Sequence, residues 1–252
     1  MTYLEQIIEK LKIEKYAGLE SVEFLHDAER LCNGEPYEYV LGYTTFLGAH
    51  IDLSIRPMIP RSESAFWLTR AINELKERER AYARPLRLAD VFAGSGALGV
   101  ALATHLPTST VDICELDPAL KRQIEINIET NHLDASRVHT ITASALDGLT
   151  GTYDAIVAVP PYIPYSELSE LDPEMIEYEP HLAFLAHDDG HEFLKLMIRE
   201  AEKFLHDGGT LYMEADMDDN DAIQELVKGT VWSSLEFWPD PYGATPNIVL
   251  RK

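Results

Sequence analysis

The chain has 252 residues, with 43 acidic and 21 basic side chains and a formal net charge of −22. This length suffices for one α/β domain and a small additional segment. A protein that binds phosphates needs Lys and Arg to neutralise them, so this charge disfavours direct nucleic-acid binding. The acids are compatible with a merely solvated surface or with docking of a basic protein partner, and the sequence leaves both interpretations open.

The sequence shows no sign of membrane insertion or export. No stretch approaches ~18 consecutive apolar residues, and no basic segment followed by an apolar one opens the chain. The two cysteines, Cys32 and Cys114, lie far apart in apolar contexts. We interpret both as buried free thiols, which is typical of a reducing compartment. The expected location is therefore cytoplasmic, with no membrane partner.

Three regions are predicted along the chain. Residues 1–33 form a small helical segment, because apolar residues recur there at helical spacing and Gly34 provides a helix stop. Residues 34–62 contain short extended stretches broken by Gly and Pro, which predicts a hairpin or lid that links to the main domain. A helix over Ser64–Arg80 opens that main domain, residues 63–252.

From residue 86 onward, apolar runs of strand length alternate with helical patterns. The strands are predicted at Leu86–Phe92, Thr110–Cys114, Val138–Thr142, Ala155–Val159 and Thr210–Ala215, the last three being buried. The helices are predicted at Ala97–Leu106, after Asp117-Pro118, and at Glu192–Leu205, which Gly208 closes. An antiparallel pair, Ser234–Phe237 and Ile248–Leu250, separated by residues 239–243, ends the chain. This order predicts an α/β fold with a doubly wound, mostly parallel sheet.

A glycine-rich segment, Gly94-Ser95-Gly96, falls where the first strand of this sheet passes into a helix. Glycine lets the backbone approach a ligand closely, and the helix N-terminus offers free N–H groups. Glu115 ends the next strand, where a carboxylate can accept hydrogen bonds from both hydroxyls of a ribose. These features predict a site for a nucleoside cofactor.

Two cofactor classes fit this loop. Residues 94–99 match the pattern Gly-x-Gly-x-x-Gly, which is typical of dinucleotide binding. Asp90 favours S-adenosylmethionine instead, because an acid at the end of the strand can hold the ammonium group of that cofactor and would repel a pyrophosphate. S-adenosylmethionine is therefore the preferred prediction, and a nicotinamide oxidoreductase is the last alternative.

The fourth predicted strand ends in Val159-Pro160-Pro161-Tyr162. Ligands of open α/β sheets lie beyond the carboxyl ends of the strands, so this segment is expected to face the cofactor loop. Two consecutive prolines lack N–H donors and hold rigid carbonyl groups that can accept a hydrogen bond from a planar amino group. The ring or hydroxyl of Tyr162 can hold the same group. The segment is typical of methyl transfer to an amide or exocyclic nitrogen, where orientation supplies most of the catalysis.

From Asn33 onward the chain resembles the bacterial release-factor glutamine methyltransferases. The motifs that carry the resemblance are Gly34-Glu35-Pro36, Ile59-Pro60-Arg61, Pro160-Pro161-Tyr162-Ile163-Pro164, Leu171-x-Pro173-Glu174, Glu179-Pro180-x-x-Ala183, Asp189-Gly190, Gly208-Gly209 and Glu214. The resemblance implies a Rossmann-like class I methyltransferase that uses S-adenosylmethionine. It also implies methyl transfer to the N5 amide of the glutamine in the Gly-Gly-Gln tripeptide of a peptide chain release factor, its protein partner.

The expected site follows from these motifs. The acceptor site is expected to consist of Val159, Pro160, Pro161 and Tyr162. The cofactor site is expected to consist of Asp90, Phe92, Ala93, Gly94, Ser95, Gly96, Glu115, Ser144, Ala145 and Val159. No metal is expected, although the segment His187–His191 holds two histidines and two acids. Arg61 is a candidate contact for a carboxylate of the cofactor or partner, with a merely exposed arginine as the alternative.

Three positions and one segment depart from the pattern of the family that the chain resembles. The family has asparagine at Val159, where the amide is expected to hold the acceptor together with the Pro160 carbonyl, and valine can neither donate nor accept. Phe92 replaces a glycine, Ser144 replaces an aspartate expected at the adenine, and the segment before Gly34 is short. Two alternatives therefore stay open: a catalytically silent relative that binds a ligand or protein, and a methyltransferase with another amide, amine or nucleobase acceptor.

Overall fold

The computed structural model describes residues 1–215, 220–239, 243 and 247–252. Its α-helices are α1 (Tyr3–Tyr16), α2 (Val22–Cys32), α3 (Tyr37–Leu41), α4 (Ser62–Tyr82), α5 (Ala97–His105), α6 (Pro118–Thr130), α7 (Pro173–Tyr178), α8 (Glu192–Glu200) and α9 (Asn220–Val227). Its strands are β1 (Tyr43–Phe46), β2 (Ala49–Asp52), β3 (Arg87–Val91), β4 (Thr110–Glu115), β5 (Val138–Thr142), β6 (Tyr153–Ala158), β7 (Ile163–Pro164), β8 (Leu185–Ala186), β9 (Leu205–Glu214), β10 (Ser234–Trp238) and β11 (Asn247–Arg251). Short 3₁₀ helices cover Tyr165–Glu170, His181–Ala183 and Ala201–Phe204.

A seven-stranded sheet in the order β10-β11-β9-β6-β3-β4-β5 forms the centre of the molecule. Strands β9, β6, β3, β4 and β5 are parallel, and β11 runs antiparallel to both of its neighbours. Because β4 lies on one side of β3 and β6 on the other, the winding of the sheet reverses next to β3. The predicted doubly wound, mostly parallel sheet with a terminal antiparallel pair is confirmed.

Both faces of the sheet are covered by helices. Successive side chains of a strand point to opposite faces, so Leu88 belongs to one layer of the core and Ala89 to the other. The first layer packs against α4, α5 and α6 and contains Trp67 and Trp238. The second layer packs against α8 and α9 and contains Trp232. All three tryptophans of the chain are thus buried between the sheet and its helices.

The N-terminal helices have a small core of their own. Leu11 of α1 and Leu31 of α2 pack with Val40 and Leu41 of α3. Helix α3 lies in a stretch that was expected to be extended, and that local prediction is wrong. Its five residues are too few to show helical periodicity, and it is bounded by Pro36 and by Gly42, which adopts the left-handed region. The division of the chain after residues 33 and 62 stays a prediction.

The predicted hairpin is confirmed. Strands β1 and β2 pair in antiparallel register around the turn residues Leu47 and Gly48, which both have positive φ. This is the backbone geometry that two-residue hairpin turns require. The turn is attached to the main domain, because a ring nitrogen of His105 lies 2.9 Å from the Leu47 carbonyl oxygen.

Two predictions about individual elements are wrong. Strand β5 is not a buried strand: only Val138 is buried, because β5 lies at the edge of the sheet and has one neighbour. Gly208 does not end a helix, since α8 stops at Glu200 and Gly208 belongs to β9, where its N–H donates to the carbonyl of Lys252. Pairing with the end of the chain, which no local pattern records, extends β9.

The structure also bears on the expectations for the cysteines, the last turn and membrane-spanning segments. Cys114 is buried as expected, whereas Cys32 is exposed, because the buried face of α2 carries Phe24, Asp27 and Leu31 instead. The turn expected at 239–243 lies largely outside the described residues. Within the described ranges, none of the helices combines the length and the apolar composition needed to cross a membrane.

Candidate active site

A cleft opens at the carboxyl edge of the sheet, where β3, β4, β5, β6 and β9 end. Each strand end contributes to its wall: Phe92–Ser95, Glu115–Asp117, Ala143–Ala145, Val159 with Pro161, and Glu214. Residues 58–61 from the linker close the opposite side, together with Pro180, Leu182 and Ala183. This is the position at which open α/β sheets bind ligands, beside the strand where the winding reverses.

The cofactor loop, residues 92–96, follows β3, the middle one of the five strands that end at the cleft. Phe92, Gly94 and Gly96 all have positive φ, at 60°, 54° and 76°. A Cβ atom placed on Gly94 would meet no atom within 4 Å, so this loop faces open space that a ligand can fill. A Cβ on Gly96 would lie 3.0 Å from Ile124, so that glycine serves close packing and does not line the cleft.

Glu115 lies in the wall with 8% of its surface exposed. Its Oε2 accepts the N–H of Gly94 at 2.7 Å, and its Oε1 accepts the N–H of Asp117 at 2.9 Å. Burial raises the pKa of Glu115, and the N–H groups of Asp117 and Gly94 partly offset that effect. Each carboxylate oxygen retains a lone pair after one hydrogen bond. The carboxylate is thus fixed by backbone groups and still suited to accept ribose hydroxyls.

Asp90 lies beneath the cleft and not in its wall. The side chain is 1% exposed, and its Oδ2 accepts the N–H of Gly99 in α5 at 2.7 Å. Burial raises the pKa of Asp90 to about 7. Gly99 has no room for a side chain, because a Cβ there would lie 2.6 Å from Ile113. The contact of Asp90 with a cofactor ammonium group stays a prediction.

The remaining predicted cofactor residues fall in one half of the cleft. Ala93 and Ser95 flank Gly94, and Ser144 and Ala145 follow β5; all four line the wall. Phe92 packs edge-on against Phe193, with ring centroids 5.1 Å apart, and both rings line the wall as well. The structure therefore brings the predicted cofactor segments together around one cavity.

The predicted acceptor residues lie at the other end of this cavity. Val159 and Pro161 line the wall, whereas Pro160 is buried and Tyr162 is half-buried beside it. The hydroxyl of Tyr162 donates to Oε1 of Glu214 at 3.1 Å. Beyond the prolines, Ile163 donates its N–H to the carbonyl of Phe184 at 2.8 Å, in the short pairing of β7 with β8. The loop is therefore held at both ends.

Glu214, at the end of β9, is a wall residue to which the sequence interpretation assigned no role. It is 5% exposed, and its Oε2 accepts hydrogen bonds from Ser64 Oγ at 2.6 Å and Trp67 Nε1 at 2.9 Å. Two features of the sequence could have indicated Glu214 as a site residue. It stands at the end of an apolar strand, and it belongs to the motifs that carry the family resemblance.

Arg61 pairs with an internal carboxylate. Its Nη2 donates to Oε1 of Glu179 at 2.5 Å, and the N–H of Ile59 donates to Oε2 of the same side chain at 2.9 Å. Glu179 occupies one edge of the guanidinium group, and the contact of Arg61 with a carboxylate of the cofactor or partner stays a prediction. The Ile-Pro-Arg and Glu-Pro motifs are thus joined, and together they close one side of the cleft.

Helix α6 and its C-cap residue hold the hairpin and the residues after it through three amide side chains spaced four residues apart. The N–H groups of Ile55, Asp52 and His50 donate to the side-chain oxygens of Gln123, Asn127 and Asn131, respectively, at 2.8, 2.7 and 2.9 Å. Asn127 also donates to the carbonyl of Ser95 at 2.9 Å. The buried side chain of Asn127 therefore contacts both the hairpin and the cofactor loop.

In the part of the chain that the structure describes, no group of three or more His, Cys, Asp or Glu side chains is placed to bind a metal ion. His187, which the sequence places near two acids and a second histidine, stacks on the ring of Tyr165 with 4.8 Å between ring centroids.

Comparison with known proteins places this site in a family. Residues 72–178 match the family model described as "Methyltransferase small domain". The N-terminal domain of human METTL16 in complex with SAH has the same fold, with a TM-score of 0.57 at 14% identity over 81% of this chain and 76% of that chain. The release factor glutamine methyltransferase of Rhodopirellula baltica is 32% identical over 212 residues, 81% of this chain and 71% of the relative. The chain belongs to the release factor glutamine methyltransferase family.

A second relative shows that chains similar to this family differ in their named acceptor. The 4-amino-L-phenylalanine/4-methylamino-L-phenylalanine methyltransferase of Streptomyces pristinaespiralis is 32% identical over 224 residues, 88% of this chain and 76% of the relative. Its name specifies an amino group on an aromatic ring, whereas the name of the family specifies a glutamine.

The chain is an S-adenosylmethionine-dependent methyltransferase, so the predictions of family, enzyme class and cofactor are confirmed. The residues present fit that cofactor, since Gly94 faces open space and Glu115 can accept two hydroxyl groups. S-adenosylmethionine supplies a methyl group on a positively charged sulfur. The nicotinamide alternative receives no support from these relatives.

Proposed function

We propose that this enzyme methylates the N5 amide nitrogen of the glutamine in the Gly-Gly-Gln tripeptide of a peptide chain release factor. The observation that carries the proposal is the shared cleft. Val159 and Pro161 of the acceptor loop, residues 159–162, line the same cavity as Gly94 of the cofactor loop and Glu115 at the end of β4. Relatives named release factor glutamine methyltransferase support this choice of acceptor. A cytoplasmic location, where release factors act, belongs to the same proposal.

The acceptor loop orients the nitrogen by its shape. The two prolines have fixed φ and no N–H, so the Pro160 carbonyl is a rigid acceptor for an amide N–H. In the transfer, the nitrogen lone pair forms a bond to the methyl carbon, the carbon–sulfur bond breaks with its electrons going to sulfur, and the nitrogen releases one proton. Holding the two reacting atoms in line can supply several orders of magnitude in rate.

The rim of the cleft suits an extended peptide. Leu116 and Leu182 line the cleft yet are 49% and 59% exposed, and Tyr165 beside the acceptor loop is 51% exposed. Exposed apolar side chains around a cavity are typical of a surface that binds another molecule. The net charge of −22 favours a partner with a basic surface, because complementary charge accelerates encounter.

A second candidate acceptor is a small aromatic amine. Val159 offers no hydrogen bond to the carbonyl or the nitrogen of an amide, and an aromatic amine has no carbonyl that needs one. The relative that acts on 4-amino-L-phenylalanine supports this candidate.

A methyl-transfer assay distinguishes the two acceptors. Purified enzyme with labelled S-adenosylmethionine is offered a release factor, the same factor with the Gly-Gly-Gln glutamine changed to alanine, and 4-amino-L-phenylalanine. We expect label on the first substrate and none on the alanine control. Labelling of the amine alone would replace the first proposal by the second candidate.

The variant Val159→Asn tests the role of this position. Restoring an amide should raise the rate on the release factor about 5- to 150-fold, because a buried polar group without a hydrogen-bond partner costs ~1–3 kcal/mol. The variant Val159→Ala is the matched control, since it changes the volume without adding a polar group. Equal rates for the two variants would contradict the expected contact with the amide.

A further inference from the structure

The end of β9 lies directly beside the acceptor loop. Strands β6 and β9 are parallel neighbours with Ala158 opposite Met213, so Val159 and Glu214 are the next residues of the two strands. Both line the cleft. A carboxylate therefore stands next to the position at which this chain carries valine.

Helix α4 fixes the direction of that carboxylate. Ser64 and Trp67 both donate to Oε2 of Glu214, at 2.6 and 2.9 Å, while Oε1 accepts the Tyr162 hydroxyl at 3.1 Å. A carboxylate oxygen has about two lone-pair directions. Oε1 thus keeps capacity for one more donor on the side of Tyr162 and the acceptor loop.

The residues of the acceptor loop, which lies beside Glu214, favour a ligand that donates a hydrogen bond. Val159 has an apolar side chain, Pro160 and Pro161 have no N–H, and Tyr162 already donates to Glu214. This corner of the wall therefore presents oxygen acceptors, and its complement is a group that donates N–H.

We infer that Glu214 accepts a hydrogen bond from the nitrogen that receives the methyl group. The inference rests on the proposed function only in that the acceptor is an N–H group, which the glutamine amide and the aromatic amine share. With one N–H held by Oε1, the lone pair of the nitrogen turns towards the methyl carbon. When the carbon–sulfur bond has broken, the proton held by Glu214 leaves the nitrogen through this carboxylate to water.

The test is a binding measurement, which does not depend on turnover. The protein saturated with S-adenosylhomocysteine is titrated in a calorimeter with a Gly-Gly-Gln peptide and, separately, with 4-amino-L-phenylalanine. We expect Glu214→Gln to bind the probe that the wild type binds about 10- to 100-fold more weakly, since a hydrogen bond to a charged group is lost. Its affinity for S-adenosylhomocysteine should stay unchanged.

The variant Asp112→Asn is the matched control. Asp112 is a buried carboxylate that also accepts a tyrosine hydroxyl, from Tyr153 at 2.6 Å, but it does not line the cleft. It should lose stability and keep its affinity for the probe. If Glu214→Gln fails to bind S-adenosylhomocysteine, Glu214→Asp replaces it, because aspartate keeps the charge and withdraws the oxygens by one methylene group.

The outcomes separate this inference from the proposed function. Equal probe affinity in wild type and variant, or binding of neither probe to the wild type, overturns the inference. A release factor that is labelled equally well by the wild type and by Glu214→Gln supports the proposed function and overturns the inference. An unlabelled release factor together with weaker amine binding by Glu214→Gln supports the inference and overturns the proposed acceptor.

Discussion

At the scale of single residues, Gly190 packs its backbone against the acceptor loop. A Cβ atom there would lie 2.2 Å from the carbonyl oxygen of Tyr162, and its φ is 83°. The segment that holds two histidines and two acids in the sequence is thus a support for the acceptor loop. Only a residue without a side chain allows the two backbones to touch.

We expect Gly190→Ala to displace Tyr162 and to lower the rate of methyl transfer about 100-fold, because small misplacements of an oriented acceptor are costly. Affinity for S-adenosylmethionine, measured by calorimetry, should change little. Gly229→Ala is the control: its φ is 76°, and a Cβ there meets no atom within 4 Å, so it adds the backbone strain without the clash. Equal activity of the two variants would contradict this role for Gly190.

Phe92 stands where its family has a glycine, and contacts of its ring compensate part of the resulting backbone strain. Its φ is 60°, a conformation that costs a non-glycine residue about 1–2 kcal/mol. The ring recovers part of that cost by packing on Phe193 at 5.1 Å. The positive φ also explains why a glycine is expected at this position.

At the scale of elements, hydrogen bonds hold two segments beside the cleft: the hairpin and the linker that follows it. The amide side chains of α6 hold the hairpin, and Glu179 holds Ile59 and Arg61 of the linker that follows. Because Asn127 also reaches Ser95, the hairpin and the cofactor loop share one hydrogen-bonding side chain. Cofactor affinity should therefore depend on the attachment of the hairpin.

Substitution of Asn127 tests whether cofactor affinity depends on the hydrogen bonds that hold the hairpin. Asn127→Ala leaves the N–H of Asp52 and the carbonyl of Ser95 without their partner, and each buried group left unpaired costs ~1–3 kcal/mol. We expect a lower free energy of unfolding in urea and weaker S-adenosylmethionine binding. Asn131→Ala is the control, since its hydrogen bonds reach the backbone of His50 and of Asn127 but not the cofactor loop. It should lower stability alone; an equal loss of cofactor affinity would contradict the coupling.

At the scale of the whole molecule, two buried acids give stability opposite dependences on pH. Burial alone would raise the pKa of Asp154, but hydrogen bonds from Arg84, the N–H of Arg87 and His206 lower it. A lowered pKa stabilises the fold above the unfolded value of ~3.9, and this contribution is lost as the pH falls. Burial raises the pKa of Asp90 to about 7, so its contribution falls as the pH rises from ~4 to about 7.

The variant Asp90→Asn should flatten this second dependence. Asparagine can still accept the N–H of Gly99 but cannot ionise. We expect the free energy of unfolding of the wild type to fall from pH 5 to pH 7, with a contribution from Asp90 of up to ~1.4 kcal/mol per pH unit. The decline should be smaller in the variant. Part of it should remain, because burial also raises the pKa of Glu115. Identical profiles for the two proteins would show that Asp90 does not titrate in this range.

The sequence by itself determined the sheet and one half of the site. Alternating strand and helix patterns imply parallel strands, and parallel strands bring their carboxyl ends to one edge. Any motif that follows a strand must therefore lie at that edge. Gly94, Glu115 and Val159-Pro160-Pro161 were located in this way, from local patterns alone.

Only the tertiary structure decided which side chains meet across the cleft. Glu214 contacts Trp67, which lies 147 positions earlier, and Glu179 contacts Arg61, 118 positions earlier. A local pattern records the period of an element and the face that it buries, but it does not record which residue of a distant element lies opposite. For the same reason the sequence placed Asp90 at the end of its strand, while the packing of α5 on β3 decided that its carboxylate lies beneath the cleft.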